Sequence, residues 1–165
     1  MPHIQPHFVA ASPMPQEPLK VLAVEDESIA MEFLDAQIAN LGHEAIHAQD
    51  GQQAIDILKR ASGSIDVVLM DREMPVMDGL TAIRRIKKDP ALRHIPIIMV
   101  TAATSTRDME EGLDAGVFYY ITKPVKEAML RSVLAAAAQE ARQAKRLHEE
   151  LNRHRTSFDL IQKQF

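Results

Sequence analysis

The chain contains no cysteine, so disulfides, thiolate zinc sites and cysteine nucleophiles are excluded outright. It also lacks any apolar run approaching the ~18 residues of a membrane span, and its N-terminus has no charged segment leading into an apolar one. A location in the cytoplasm, with no membrane partner, is therefore expected. The net charge of −4, without an extended Lys/Arg block, argues against direct nucleic-acid binding. What the sequence does have is 46% apolar and 25% charged residues over 165 positions, enough for one packed domain and an appendage.

Residues 1–18 carry five of the nine prolines and read as an extended tail that sustains neither helix nor ladder. From Leu19 short aliphatic runs alternate with amphipathic segments. "LKVLAV" (19–24), "EAIHA" (44–48), "IDVVLM" (65–70), "IPIIMV" (95–100) and "VFYYI" (117–121) read as strands. Helices are predicted over 30–42, ending at Gly42, over 51–61 after Asp50, and over 79–88 after Asp78. A fourth runs from the Ser105–Asp108 capping pair to Gly116, and a long one begins near Pro124, a residue suited to a first helical turn. Nearly continuous apolar strands joined by helices imply an α/β fold: a doubly wound parallel sheet covered on both faces. Ligands of such sheets bind beyond the carboxyl ends of the strands.

Those ends carry the chemistry. Glu25, Asp26 and Glu27 follow the first strand, Asp71 the third, Thr101 the fourth, and Thr122 and Lys123 the fifth. Parallel strands bring all of them to one edge. Clustered carboxylates repel unless a cation lies among them, and hard oxygen ligands suit Mg²⁺, which is shared readily with a phosphoryl group. With an ammonium and a hydroxyl added, the set suits an aspartyl phosphate whose carboxylate is the nucleophile. Taken singly, Glu27, Asp50, Asp78 and Thr122 read as caps or turn residues. Asp26, Asp71, Thr101 and Lys123 at successive strand ends read together as a site. The histidines, scattered over different elements, form no metal-ligand set.

"VLAVEDES", "VLMDREMPVMDG", "IIMVTA" and "YYITKP" occur in the order and spacing of the receiver domain of two-component response regulators, and residues 19–142 resemble that family. The resemblance implies a flavodoxin-like, five-stranded sheet of order 2-1-3-4-5 and phosphorylation at Asp71 by a phosphohistidine donor, a sensor histidine kinase or phosphotransfer protein. It places Glu25 and Asp26 on the family's acidic pair, with Asp26 a direct Mg²⁺ ligand beside Asp71 and the backbone carbonyl of Glu73. It also makes Thr101 and Tyr120 the switch pair and puts Lys123 beside the phosphoryl group. On this reading the protein is a signalling module and not an enzyme, its chemistry confined to its own phosphoryl transfer and hydrolysis. Several positions depart from the pattern. Glu25 replaces an aspartate, tolerable if it reaches the metal through water, and Arg72 replaces an apolar residue, which reads as a solvated or partner-facing side chain. Phe118 and Tyr119 read either as a locally apolar strand start or as an aromatic patch for pairing. Ala103, two residues after Thr101, offers no polar group to orient a water, so slow dephosphorylation is expected.

Helical character continues through 143–165, where Leu147, Leu151, His154, Phe158, Ile161 and Phe165 recur at steps of four and three. This seam predicts a parallel homodimeric coiled coil or a connector to an effector domain. Two other functions compete with the receiver reading. A haloacid-dehalogenase-like phosphatase also uses a strand-end aspartate, but it needs a second aspartate where this chain has Glu73. A pseudo-receiver that binds partners without phosphorylation is opposed by the intact Asp26, Asp71, Thr101 and Lys123.

Overall fold

The aliphatic runs and amphipathic segments become strands and helices in strict alternation in a computed structural model that describes residues 17–61, 63–102 and 105–162. β1 (Lys20–Val24), β2 (Glu44–Ala48), β3 (Val67–Asp71), β4 (Ile97–Thr101) and β5 (Tyr119–Thr122) form one parallel sheet in the order β2-β1-β3-β4-β5. The connecting helices are α1 (Ser28–Asn40), α2 (Gly51–Arg60), α3 (Gly79–Lys88) and α4 (Thr106–Ala115), with α5 (Glu127–Gln162) last. This is the flavodoxin-like, doubly wound arrangement expected.

Strand alternation sorts the core into two halves. Leu22, Val24, Val68, Met70, Ile97 and Met99 face α2, α3 and α4, where Leu58, Ile83 and Ile86 meet them. Val21, Ala23, Val67, Leu69, Ile98 and Val100 face α1 and α5, against Leu34, Ile38, Leu130 and Leu134. With both faces covered, the three central strands are buried almost throughout. Asp50, Asp78 and Ser105 cap their helices, accepting from the N–H groups of Gln53, Thr81 and Asp108. Gly116 ends α4 at φ +98°, a left-handed position that suits glycine.

Three details differ from the expectations. β3 and β4 run one residue further than their apolar stretches, so Asp71 and Thr101 belong to the strands and share their rigidity. Pro124 is not in a helical first turn: it follows a cis peptide in the β5–α5 loop, and the first helical bond there is Leu130 N–H to the Lys126 carbonyl. The Val125 carbonyl is taken instead by the side-chain amide of buried Gln37 in α1, at 2.9 Å. Phe118 packs against the α1/α5 half of the core while Tyr119 stands exposed on the edge strand, so the two aromatics serve different ends.

Among the described side chains of α5 the last buried one is Ala138, after which Leu147 and Leu151 lie exposed. Helix continues unbroken to Gln162; Phe165, and the side chains of Phe158 and Ile161, are outside the described residues, as are residues 1–16 and Ala103. Among the described residues no helix is long and apolar enough to cross a membrane.

Candidate functional site

β1, β3 and β5 deliver the central groups. Glu25 and Asp26 follow the end of β1, Asp71 closes β3, and Lys123 comes directly after β5. Carboxylate oxygens of Glu25, Asp26 and Asp71 all lie within 4.8 Å of one another. Glu25 is 4% exposed and Asp71 7%, whereas Asp26 is open to solvent. The Lys123 ammonium donates to Glu25 Oε2 at 2.8 Å and sits 3.5 Å from Asp71 Oδ2. Lys123 therefore rests on Glu25 first and Asp71 second. Its backbone N–H is anchored on the Thr101 carbonyl at 2.8 Å, which fixes the end of β5 against the end of β4.

The charges account for the titration behaviour. Burial, and then the neighbouring Glu25 carboxylate, push Asp71 up from 3.8 to about 6, against the opposing pull of Lys123 and of the Arg72 N–H. Burial disfavours the Lys123 ammonium, yet the hydrogen bond to Glu25 and the two carboxylate charges outweigh it and raise its pKa. Three carboxylates faced by one ammonium leave negative charge uncompensated. That imbalance, with oxygen-only donors, fits a hard divalent cation. The Glu73 side chain is exposed.

Thr101 is buried at the end of the neighbouring strand. Tyr120 lies on the opposite sheet face from Ile121, its partly buried ring packed with the α2/α3/α4 half of the core. The ring runs beside Gly112 of α4, where a Cβ would meet it at 3.5 Å. The structure thus brings Glu25, Asp26, Asp71 and Lys123 into one cluster, with Thr101 at its flank and Tyr120 reaching from the site strand toward α4. Glu27 occupies the N-cap position of α1 without a side-chain capping bond.

Arg72 corrects the sequence reading. It is not solvated: its side chain is 15% exposed and its guanidinium is clamped on α4, with Nη2 at 2.9 Å from Asp108 Oδ1 and 2.8 Å from Glu111 Oε2. Nη1 donates to the Asp108 carbonyl at 3.2 Å. The reason is local: the residue after Asp71 points to the opposite side of the strand end, directly at the acidic first turns of α4. The hydrogen bond from Arg72, with a second from Arg107, holds the Glu111 carboxyl below its usual range. Gly79 is a second residue whose role sequence spacing hid. A Cβ there would lie 1.9 Å from the Asp71 carbonyl oxygen, so only glycine lets α3 start this close to the end of β3.

Residues 21–135 match the family model described as the response regulator receiver domain. The chain is 35% identical over 111 residues to the response regulator PleD of Caulobacter vibrioides, covering 67% of this chain and 24% of that protein. It is 34% identical over 117 residues to chemotaxis protein CheY-3 of Vibrio cholerae, covering 70% of this chain and 88% of that protein. A gliding motility regulatory protein of Myxococcus xanthus is 38% identical over 117 residues, 68% of this chain but 15% of that protein. The chain thus spans a quarter or less of two of these three relatives. Among solved structures, the receiver domain of a Pseudomonas aeruginosa sensor histidine kinase, with magnesium coordinated in its active-site cleft, superimposes with a TM-score of 0.68. That pair shares 34% identity over 74% of this chain and 98% of the other.

Proposed function

The chain belongs to the response regulator receiver family, and we propose that Asp71 is the residue through which it accepts a phosphoryl group from a histidine kinase or phosphotransfer protein. The observation that carries this reading is the burial of Asp71 at the end of β3, within 4.8 Å of two further carboxylates and 3.5 Å from the Lys123 ammonium. In the step, an Asp71 carboxylate oxygen forms a bond to phosphorus as the P–N bond of a phosphohistidine breaks. The imidazole leaves with the bonding pair, neutral when its other nitrogen carries a proton.

Asp26 and Asp71, with the Glu73 carbonyl and with Glu25 acting through water, would hold Mg²⁺, which when bound neutralises charge on the transferring oxygens. This chain's own groups do the rest. The raised pKa of Lys123 keeps its ammonium charged beside Asp71, ready to pair with a phosphoryl oxygen. The Thr101 hydroxyl is held at the adjacent strand end to donate to another, and its movement vacates space for the Tyr120 ring, a population shift driven by contacts that differ between the two states. The protein would be a phosphoprotein acting in the cytoplasm, with residues 19–142 as the receiver unit and 143–165 as its extension. Residues Leu147 and Leu151, exposed in the single chain, suit parallel pairing in a homodimer or a rigid connection to an effector domain.

Incubation with acetyl phosphate and Mg²⁺ should add the mass of one phosphoryl group, with none added to Asp71→Asn and little to Asp26→Ala. Full labelling of either variant would remove the assignment. A haloacid-dehalogenase-type phosphatase is not favoured, because the position where it needs its second acid carries Glu73, whose side chain faces solvent.

A further inference from the structure

α4 is held to the body of the protein by little apolar area. Its only buried residues are Gly112 and Ala115, while Leu113 and Met109 are exposed. The Arg72 clamp on Asp108 and Glu111 adds a polar tie to a helix with few buried side chains. The other end of the same residue is tied to the phosphoacceptor. Its main chain follows Asp71 directly at the end of β3, and the Arg72 carbonyl accepts from the Gly79 N–H at 2.8 Å. One residue thus joins three points: the main chain that carries Asp71, the start of α3, and the side of α4. A shift of α4 that drags the guanidinium must either break two charge-assisted bonds or pull on the main chain that leads directly from Asp71.

Resting on the reading of Asp71 as the phosphoacceptor, we propose that Arg72 is a positioning residue that makes phosphoryl uptake at Asp71 depend on where α4 sits. The coupling runs both ways: whatever covers or displaces α4 alters the readiness of Asp71, and a phosphoryl group on Asp71 alters the hold on α4. The Tyr120 ring reaches α4 beside this tie, at Gly112, one residue beyond Glu111.

The test uses the full chain with acetyl phosphate and Mg²⁺, following the rate of phosphoprotein formation against donor concentration. Glu111→Gln removes the charge of a clamp partner that touches neither Asp71 nor the metal-binding carboxylates. It should slow uptake roughly three- to ten-fold at saturating donor, and Arg72→Gln should do the same. The double variant should be no slower than Arg72→Gln alone, since both changes cut one tie. Glu111→Gln should also move the Arg72 backbone amide resonance while leaving the melting temperature within about a degree or two of the parent, as expected for a change on a partly exposed helix face. Wild-type uptake by Glu111→Gln, or effects that multiply in the double variant, would overturn the proposal. Failure of the parent chain to take up phosphate would instead overturn the phosphoacceptor reading itself.

Discussion

Removing the charge of Asp71 should stabilise the metal-free protein. Burial and the Glu25 carboxylate raise the Asp71 pKa from 3.8 to about 6, so ionising this group costs the folded state more than the unfolded one. A shift of about two units at ~1.36 kcal/mol each sets a ceiling near 3 kcal/mol, and partial solvent access at the rim of the sheet brings the expectation to about 2 kcal/mol. The sign follows from proton counting. Between pH 3.8 and about 6 the folded state binds more protons at this site, so its contribution to stability falls as pH rises and is fully unfavourable above about 6. In chelator at pH 7.5, Asp71→Asn should therefore melt higher by roughly 4–8 °C for a chain of this length. Lowering the pH toward 4 should close that gap, and saturating Mg²⁺ should narrow it by stabilising only the parent, by about 2.7 kcal/mol at a hundredfold excess over Kd. Urea melts of parent and variant across this pH range, with and without Mg²⁺, give the comparison. Equal stability at pH 7.5, or a difference that persists unchanged to pH 4, would refute the electrostatic account of the site.

Gly79→Ala places a Cβ 1.9 Å from the Asp71 carbonyl oxygen and should cost at least about 2 kcal/mol in urea melts, with phosphoryl uptake impaired; an unperturbed variant would mean that α3 starts elsewhere. Val76, β-branched and 86% exposed, sits at φ 64° in the β3–α3 loop, so Val76→Asn should gain about 1 kcal/mol without loss of packing, and a destabilised variant would count against that strain. Leu19 N–H donates to His43 Nδ1 at 3.2 Å, and burial lowers the His43 pKa. Stability should therefore decline as pH falls below 6.5 and level off below the folded-state value, a dependence that His43→Asn should flatten in urea titrations. Sedimentation of the full chain should show a dimer that a version ending at Arg142 does not form. Equal monomers at high micromolar concentration would rule out the coiled coil.

The strand ends were legible because nearly continuous aliphatic runs fix strand direction, and direction alone brings Glu25, Asp71, Thr101 and Lys123 to one edge. Asp50, Asp78 and Ser105 were legible as caps for an equally local reason: each sits immediately before a helical run and bonds within three residues. Arg72 was not. Its partners, Asp108 and Glu111, lie 36 and 39 residues away on a helix whose rotation about its axis no local pattern reveals. Gln37, whose amide reaches Val125 across 88 residues, escaped notice for the same reason. The Asp78-Gly79 pair signalled a turn and a cap, but the approach of α3 to the Asp71 carbonyl depends on how two elements pack. Lys123 was placed correctly at the edge, yet its first partner is Glu25, because only the folded geometry decides which of two nearby carboxylates lies closer.

α5 joins the two ends of the molecule mechanically. Its first turns are wedged into the core through Leu130, Val133, Leu134, Ala137 and Ala138, and its start hangs from the loop that presents Lys123. Beyond Ala138 the same rigid rod runs on through the residues to Gln162, about 36 Å at 1.5 Å per residue. A tilt at its base of about 5° sweeps the tip through about 3 Å over such a length. An adjustment at Lys123 too small to rebuild the core would arrive at the far end as a displacement as large as an atom, so the helix is built as a lever arm with its fulcrum in the α1/α5 half of the core.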